Sequence, residues 1–237
     1  NIYVLKNKKD VIYFEAGNPP KKNFSSCYQS GPLSFEYFLD DIKIITNSGF
    51  GINISKKAET LSRLSACQST LNLNDTSVTK FEKNELINQV FGNSIKNSFN
   101  FYDQETKDED NLIGCLATNN GYEKNFGCEH KREIYIDKEQ DCLKGIDHIF
   151  KKKDGYPVRY NFRFYINPKL NAVKTMGGNG ALIQISKNKS LLFTIKDEII
   201  EIEKSIFFGN KKFLDNTCIS ISGNLVNKNK SFIWEIK

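Results

Sequence analysis

Ile199-Ile200-Glu201-Ile202-Glu203-Lys204-Ser205-Ile206 alternates apolar and polar side chains over most of its length. Successive side chains of a β-strand point to opposite faces, so the pattern predicts a half-buried strand. Ile200 and Ile202 would face a core, and Glu201 and Glu203 would face water. Similar short runs, rich in β-branched and aromatic residues, recur at 11–15, 33–39, 42–47, 69–73, 133–136, 143–149, 160–166, 181–185, 191–195, 218–222 and 232–236. Turn-forming groups separate many of them, among them Asp40-Asp41, Asn47-Ser48-Gly49, Asn119-Asn120-Gly121 and Gly177-Gly178-Asn179-Gly180. No long stretch keeps a 3.6-residue period. The expectation is an all-β chain, a large antiparallel β-sandwich of many strands, with one short helical or irregular insertion near 81–111. Within that insertion, 81–87 reads as a helical turn and 103–111 as a charged loop. No linker or internal repeat divides the sequence, so residues 1–237 are expected to form a single domain.

The chain carries 34 basic and 28 acidic residues, a formal net charge of +6. Only four of the basic residues are arginine: Arg63, Arg132, Arg159 and Arg163. Such a field attracts polyanions, although a lysine-rich surface also serves simple solvation. No helix-turn-helix, RNP-type or zinc-finger pattern occurs, so nucleic acid is not an expected partner. No apolar run approaches the ~20 residues of a membrane-spanning helix. The six cysteines have no C-x-x-C spacing, and most read as small buried hydrophobes. The chain begins at Asn1 rather than Met and reads as a piece of a longer protein. Its compartment stays open, with periplasm or cell envelope slightly favoured over cytoplasm.

Two polar stretches stand about thirty residues apart. They are Tyr28-Gln29-Ser30-Gly31-Pro32-Leu33-Ser34-Phe35-Glu36 and Arg63-Leu64-Ser65-Ala66-Cys67-Gln68-Ser69-Thr70-Leu71. Further segments follow in order: Glu15-Ala16-Gly17-Asn18-Pro19-Pro20, Ile44-Ile45-Thr46-Asn47-Ser48-Gly49, Gly121-Tyr122 through Glu129-His130-Lys131-Arg132, Phe162-Arg163-Phe164-Tyr165-Ile166-Asn167-Pro168, and a final strand with Trp234. Together they resemble the C-terminal β-domain of the heparinase II/III family of polysaccharide lyases. The family's first stretch reads His-Ala-(Gly/Asp)-x-Leu-Ser-Phe-Glu, and its second Arg-Ser-x-x-x-His-Ser-Thr-Leu. Here glutamines replace both histidines, and Tyr165 and Asn167 replace two more.

The resemblance implies β-elimination on uronic-acid polysaccharides, with most catalytic groups on an N-terminal α/α toroid domain that this chain lacks. Its expected partners are therefore an acidic polysaccharide and that toroid, and the chain alone is expected to be inactive. Gln29 and Tyr28 are the candidate catalytic positions; Arg163, Gln68 and Arg63 are candidate substrate contacts. Gln29 can donate a hydrogen bond but cannot act as a base near neutral pH. Tyr28 would serve as a base only with a greatly lowered pKa. The Arg163 fork suits a carboxylate or sulfate, or else an ion pair between strands. Arg63 reads as a loop anchor or a substrate contact. Some relatives hold a metal with His and Asp at the positions of Gln29, Gln68 and Asn47. Neutral amides are poor zinc ligands, so no metal and no cofactor are expected. His130 and His148 read as structural. The rival reading is a non-catalytic carbohydrate-binding or domain-packing module that has lost the lyase histidines.

Overall fold

The computed structural model describes residues 2–153, 155–226 and 228–237. Its strands are β1 (Ile2–Lys6), β2 (Asp10–Glu15), β3 (Phe35–Leu39), β4 (Ile42–Thr46), β5 (Leu71–Leu73), β6 (Phe101–Asp108), β7 (Leu112–Asn119) and β8 (Cys128–Asp137). They continue as β9 (Cys142–Lys151), β10 (Val158–Ile166), β11 (Asn171–Lys174), β12 (Gly180–Ser186), β13 (Lys189–Ile195), β14 (Glu201–Phe208), β15 (Phe213–Leu225) and β16 (Lys230–Ile236). Short helices α1 (Lys56–Ser62), α2 (Glu85–Phe91) and α3 (Glu123–Phe126) interrupt them.

The strands form two antiparallel sheets. The first runs β1-β2-β3-β4-β10-β15-β14, with β5 also pairing β10; the second runs β11-β12-β13-β16-β9-β8-β7-β6. The all-β sandwich expected from the alternation is the fold. Tight chemistry closes its turns: Asp40 and Asp41 both take positive φ, 48° and 62°, in the two-residue β3–β4 hairpin.

Aromatic rings fill the space between the sheets. Phe35 stacks on Trp234 at 5.4 Å, Phe164 meets Trp234 edge-on at 5.1 Å, and Phe162 meets Phe232 at 4.7 Å. Burying one such ring contributes about 1.5–3 kcal/mol, so this layer holds the sheets together.

Strand β10 is the pivot of the first sheet. Its residues Tyr160–Phe162 pair with β5, while Tyr165 and Ile166 pair with β4. The neighbour therefore changes at Arg163, and the second polar stretch crosses over that change.

Two local expectations are corrected. Most of the 103–111 stretch is not a loop, because β6 occupies Phe101–Asp108 at the edge of the second sheet and only 109–111 form the turn into β7. Its charges mark an edge strand that meets water on both faces, which blunts edge-to-edge association. Helix α1, capped by Ser55 accepting from the Ala58 amide, was not legible in the pattern. The helical turn expected over 81–87 begins later, as α2 from Glu85 to Phe91 with Asn84 as its cap, and Phe81 instead bridges Ile95. In the opening strand, Glu201 and Glu203 are exposed and Ile200 is fully buried, but Ile206 is exposed toward the far end of edge strand β14.

Candidate functional site

Arg132 organises the region. It lies on the inward face of β8, opposite Asp147 of β9. Arg132 Nε donates to Asp147 Oδ1 at 2.7 Å and Nη2 to Oδ2 at 3.1 Å. His130 Nε2 lies 2.6 Å from Oδ1, and Trp234 Nε1 donates to Oδ2 at 2.8 Å. Arg132 Nη1 then crosses the sandwich and donates to the carbonyls of Leu33 at 2.8 Å and Ser69 at 2.7 Å. One buried guanidinium thus pins both polar stretches to the second sheet.

Burial lowers the His130 pKa and outweighs the pull of Asp147, so the ring is neutral. Burial alone would raise Asp147, yet Arg132 and His130 hold its carboxyl below the usual carboxylate range. His130 is structural, as expected. His148 bonds Ser231 at 2.8 Å and lies 3.3 Å from Glu133.

Arg63 pins the loops from the other side. It is fully buried and donates to the carbonyls of Tyr28 (2.7 Å), Asn93 (2.6 Å) and Ser25 (2.8 Å). Its guanidinium also lies 4.2 Å from the centre of the Phe81 ring. With these donors engaged, Arg63 is an anchor and offers no surface to a substrate.

Gln68 is only 2% exposed. Its Nε2 donates to the Ser62 carbonyl at 3.0 Å and to Gln29 Oε1 at 3.4 Å. Gln68 therefore orients the half-buried Gln29 from inside rather than meeting a substrate directly. Asn47 Oδ1 accepts from the Ser69 amide at 2.8 Å. The neutral amides at the family's metal positions bond the backbone or one another, and this donor set does not fit zinc.

The structure adds a residue that the sequence did not single out for chemistry. Glu15, at the end of β2, accepts from the Tyr28 hydroxyl and the Ser34 hydroxyl, each at 3.4 Å. Reciprocal backbone bonds hold it there: Glu15 N to Ser34 O at 2.9 Å and Leu33 N to Glu15 O at 3.0 Å. Gly31 packs so closely that a Cβ would lie 2.7 Å from Ser34 Oγ, 3.0 Å from Glu15 Oε2 and 3.2 Å from Gln68 Cγ. Glu15, Tyr28 and the two glutamines therefore form one cluster. Burial pushes the Glu15 carboxyl up to about 8, against the two hydroxyl bonds. Burial, then the Glu15 carboxylate, raises Tyr28, so its phenol stays protonated.

Arg163 stands apart from this cluster, on β10 beneath the second polar stretch. Its backbone N–H donates to Thr70 O at 3.2 Å. Its side chain is half-buried, and Nη1 is buried without a hydrogen-bond partner. Among the described residues no carboxylate pairs with it, so the ion-pair alternative is not realised. Its charge reaches the Cys67 and Cys218 thiols and lowers both, though burial pushes them up to about 11 and about 12. All six cysteines are free; four are buried, and Cys27 is exposed.

This fold, with its two pinned polar stretches, defines a class. The sequence matches the family model for the heparinase II/III-like C-terminal domain over residues 1–235, and the chain belongs to that family. Among solved structures, the heparan sulfate lyase HepC from Pedobacter heparinus aligns at a TM-score of 0.77 with 14% identity, covering 99% of this chain and 34% of that one. A heparinase III structure aligns at 0.73 with 16% identity, covering 99% and 35%. The Slr1438 protein from Synechocystis sp. PCC 6803 aligns at 0.53 with 10% identity, covering 100% and 95%. The chain spans about a third of the length of the two lyases. No curated protein sequence matches it. Among the described residues, no helix is long and apolar enough to cross a membrane.

Proposed function

We propose that this chain is the β-sandwich part of a polysaccharide lyase that cleaves uronic-acid-containing polysaccharides by β-elimination. It acts with an N-terminal α/α toroid domain of the same protein and is inactive alone. Family membership and two lyases of the same fold support this reading. The observation that carries it is Arg163, half-buried as a residue and without an acidic partner among the described residues.

In β-elimination a base removes the proton at C5, and its electron pair forms the C4–C5 double bond. The C4–O4 bond then breaks, and the leaving oxygen takes up a proton. The C5 proton is weakly acidic beside a carboxylate, so neutralising that carboxylate stabilises the transition state. Arg163 suits that role through its permanent positive charge, Nη1 itself being buried. Gln29, oriented by Gln68, offers amide hydrogens to a sugar oxygen. Tyr28, kept protonated, is a hydrogen-bond donor rather than a base. The base and the acid then come from the toroid. One observation favours the rival binding-module reading: neither histidine lies in the Gln29 cluster, since His130 bonds Asp147 in the core and His148 bonds Ser231.

The test uses protein from the complete open reading frame, incubated with heparan sulfate, alginate and other uronate polymers. The readout is ultraviolet absorbance from new C4–C5 double bonds. Activity on one polymer, reduced about 100-fold or more in kcat/KM by Arg163→Gln and partly retained by Arg163→Lys, is the expected result. A flat trace from folded protein on every polymer overturns the lyase and leaves the binding module.

A further inference from the structure

A groove of about 1210 Å³ opens beside the pinned loops, on the Phe81 and Asn93 side of Arg63. Segments around 79–83, 93–100 and 120–125, together with Lys153, line it. Five lysines and two glutamates stand in its walls, a surplus of three positive charges. Glu82 is already engaged: it accepts from the backbone N–H groups of Lys83 and Asn84 and pairs with Lys96 at 3.4 Å. Lys80, Lys83, Lys124 and Lys153 are exposed, and their ammonium groups make no ion pair among the described residues. They come from three separate segments of the chain, so the fold rather than a local run brings them together.

Uncharged groups of the groove are unpaired as well. Thr79 Oγ1 and Asn93 Oδ1 are buried in its wall without a hydrogen-bond partner. The side-chain amides of Asn100 and Asn125 line it and make no hydrogen bond among the described residues. Compact point charges suit sulfate and carboxylate groups, and free amides suit sugar hydroxyls. The groove is open and exceeds the usual range for a small-molecule pocket, as a polymer requires. Among the described residues it contains no arginine, and its two phenylalanines are engaged elsewhere, Phe99 buried and Phe81 against Arg63, so neither is the aromatic platform single-stranded nucleic acid uses.

We infer that this groove is a binding site for a sulfated or carboxylated glycan, lined by neither Gln29 nor Arg163, gripping the polymer at a distance from the reacting bond. The identity of the polymer rests on the acidic-glycan reading above; the place of the site rests on the groove itself.

The test measures binding of a fluorescent heparin oligosaccharide to this chain at low salt. The groove variant carries Lys80→Gln, Lys83→Gln, Lys124→Gln and Lys153→Gln. A control of equal net charge carries Lys187→Gln, Lys211→Gln, Lys212→Gln and Lys228→Gln, and thermal melts confirm that both fold. Each exposed charge contact removed weakens binding about two- to fivefold, so the groove variant is expected to lose at least about tenfold while the control loses less than about threefold. Equal losses in both variants, or none in the groove variant, overturn the site. Single-stranded DNA binding at the same lysines with equal affinity replaces the glycan by nucleic acid and also overturns it. Because the readout is binding by this chain, the site stands or falls independently of lyase activity in the longer protein.

Discussion

Replacing Asp147 by alanine tests whether the buried Arg132 cluster holds the two polar stretches in place. Asp147 is 1% exposed and accepts four hydrogen bonds, two from Arg132 and one each from His130 and Trp234. Bonds to a charged acceptor contribute about 1.5–3 kcal/mol each, but the cost of burying the carboxylate offsets much of that. The larger effect is the Arg132 charge left without a counterion in a dry site. Removing one partner of such a pair costs about 3–5 kcal/mol, a large part of the ~5–15 kcal/mol that holds a domain together. Urea unfolding of the chain at pH 7 should show that loss. The double variant Arg132→Met/Asp147→Leu, which removes both charges, should lose less than the two single changes added together. Asp147 has a lowered folded-state pKa. Its stabilisation is therefore present above the unfolded value near 3.9 and is lost as pH falls through the folded one. The gap between wild type and Asp147→Ala should accordingly narrow below about pH 4. A loss under about 1 kcal/mol at pH 7, or strict additivity in the double variant, refutes the reasoning.

Two further changes probe the packing and the charge of the same region. Gly145 lies opposite Trp234 on the neighbouring strand, and a Cβ there would come within 2.0 Å of the indole, which its bond to Asp147 holds in place. Gly145→Ala should therefore destabilise the chain by about 3 kcal/mol in a thermal melt, and a loss below about 1 kcal/mol would mean that the ring yields freely. Glu15 has a folded-state pKa raised to about 8 from 4.5, so its contribution is fully present below pH 4.5 and is lost as pH rises through 8. Glu15→Gln should match wild type at pH 4 and exceed its stability by about 1–3 kcal/mol at pH 9; parallel stability curves would refute the buried neutral carboxyl.

Alternation was enough to read the sandwich, because a strand with one face in the core shows its period directly, as Phe232, Trp234 and Ile236 do on the buried face of β16. An edge strand covered on neither face carries no such signal. Most of strand β6 reads as a charged loop, since from Asp103 onward both of its faces are exposed. The core charge cluster was legible in principle: Arg132, His130 and Asp147 all occupy inward positions of alternating strands, where an ionised side chain requires a partner. Its meaning was not, because Arg132 meets Leu33 and Ser69 only across the two sheets.

The order of the motifs determined the family and marked Gln29, Gln68 and Arg163 as positions of interest. Tertiary structure decided what each does. It buried Arg63 and Gln68 as supports for their loops and left Arg163 without an acid partner among the described residues. It also brought Glu15 against Tyr28, and gathered lysines from three segments around one groove. Motif order is a property of the chain alone. Burial, and the pairing or isolation of a charge, depend on which distant segments the folded sheets bring together.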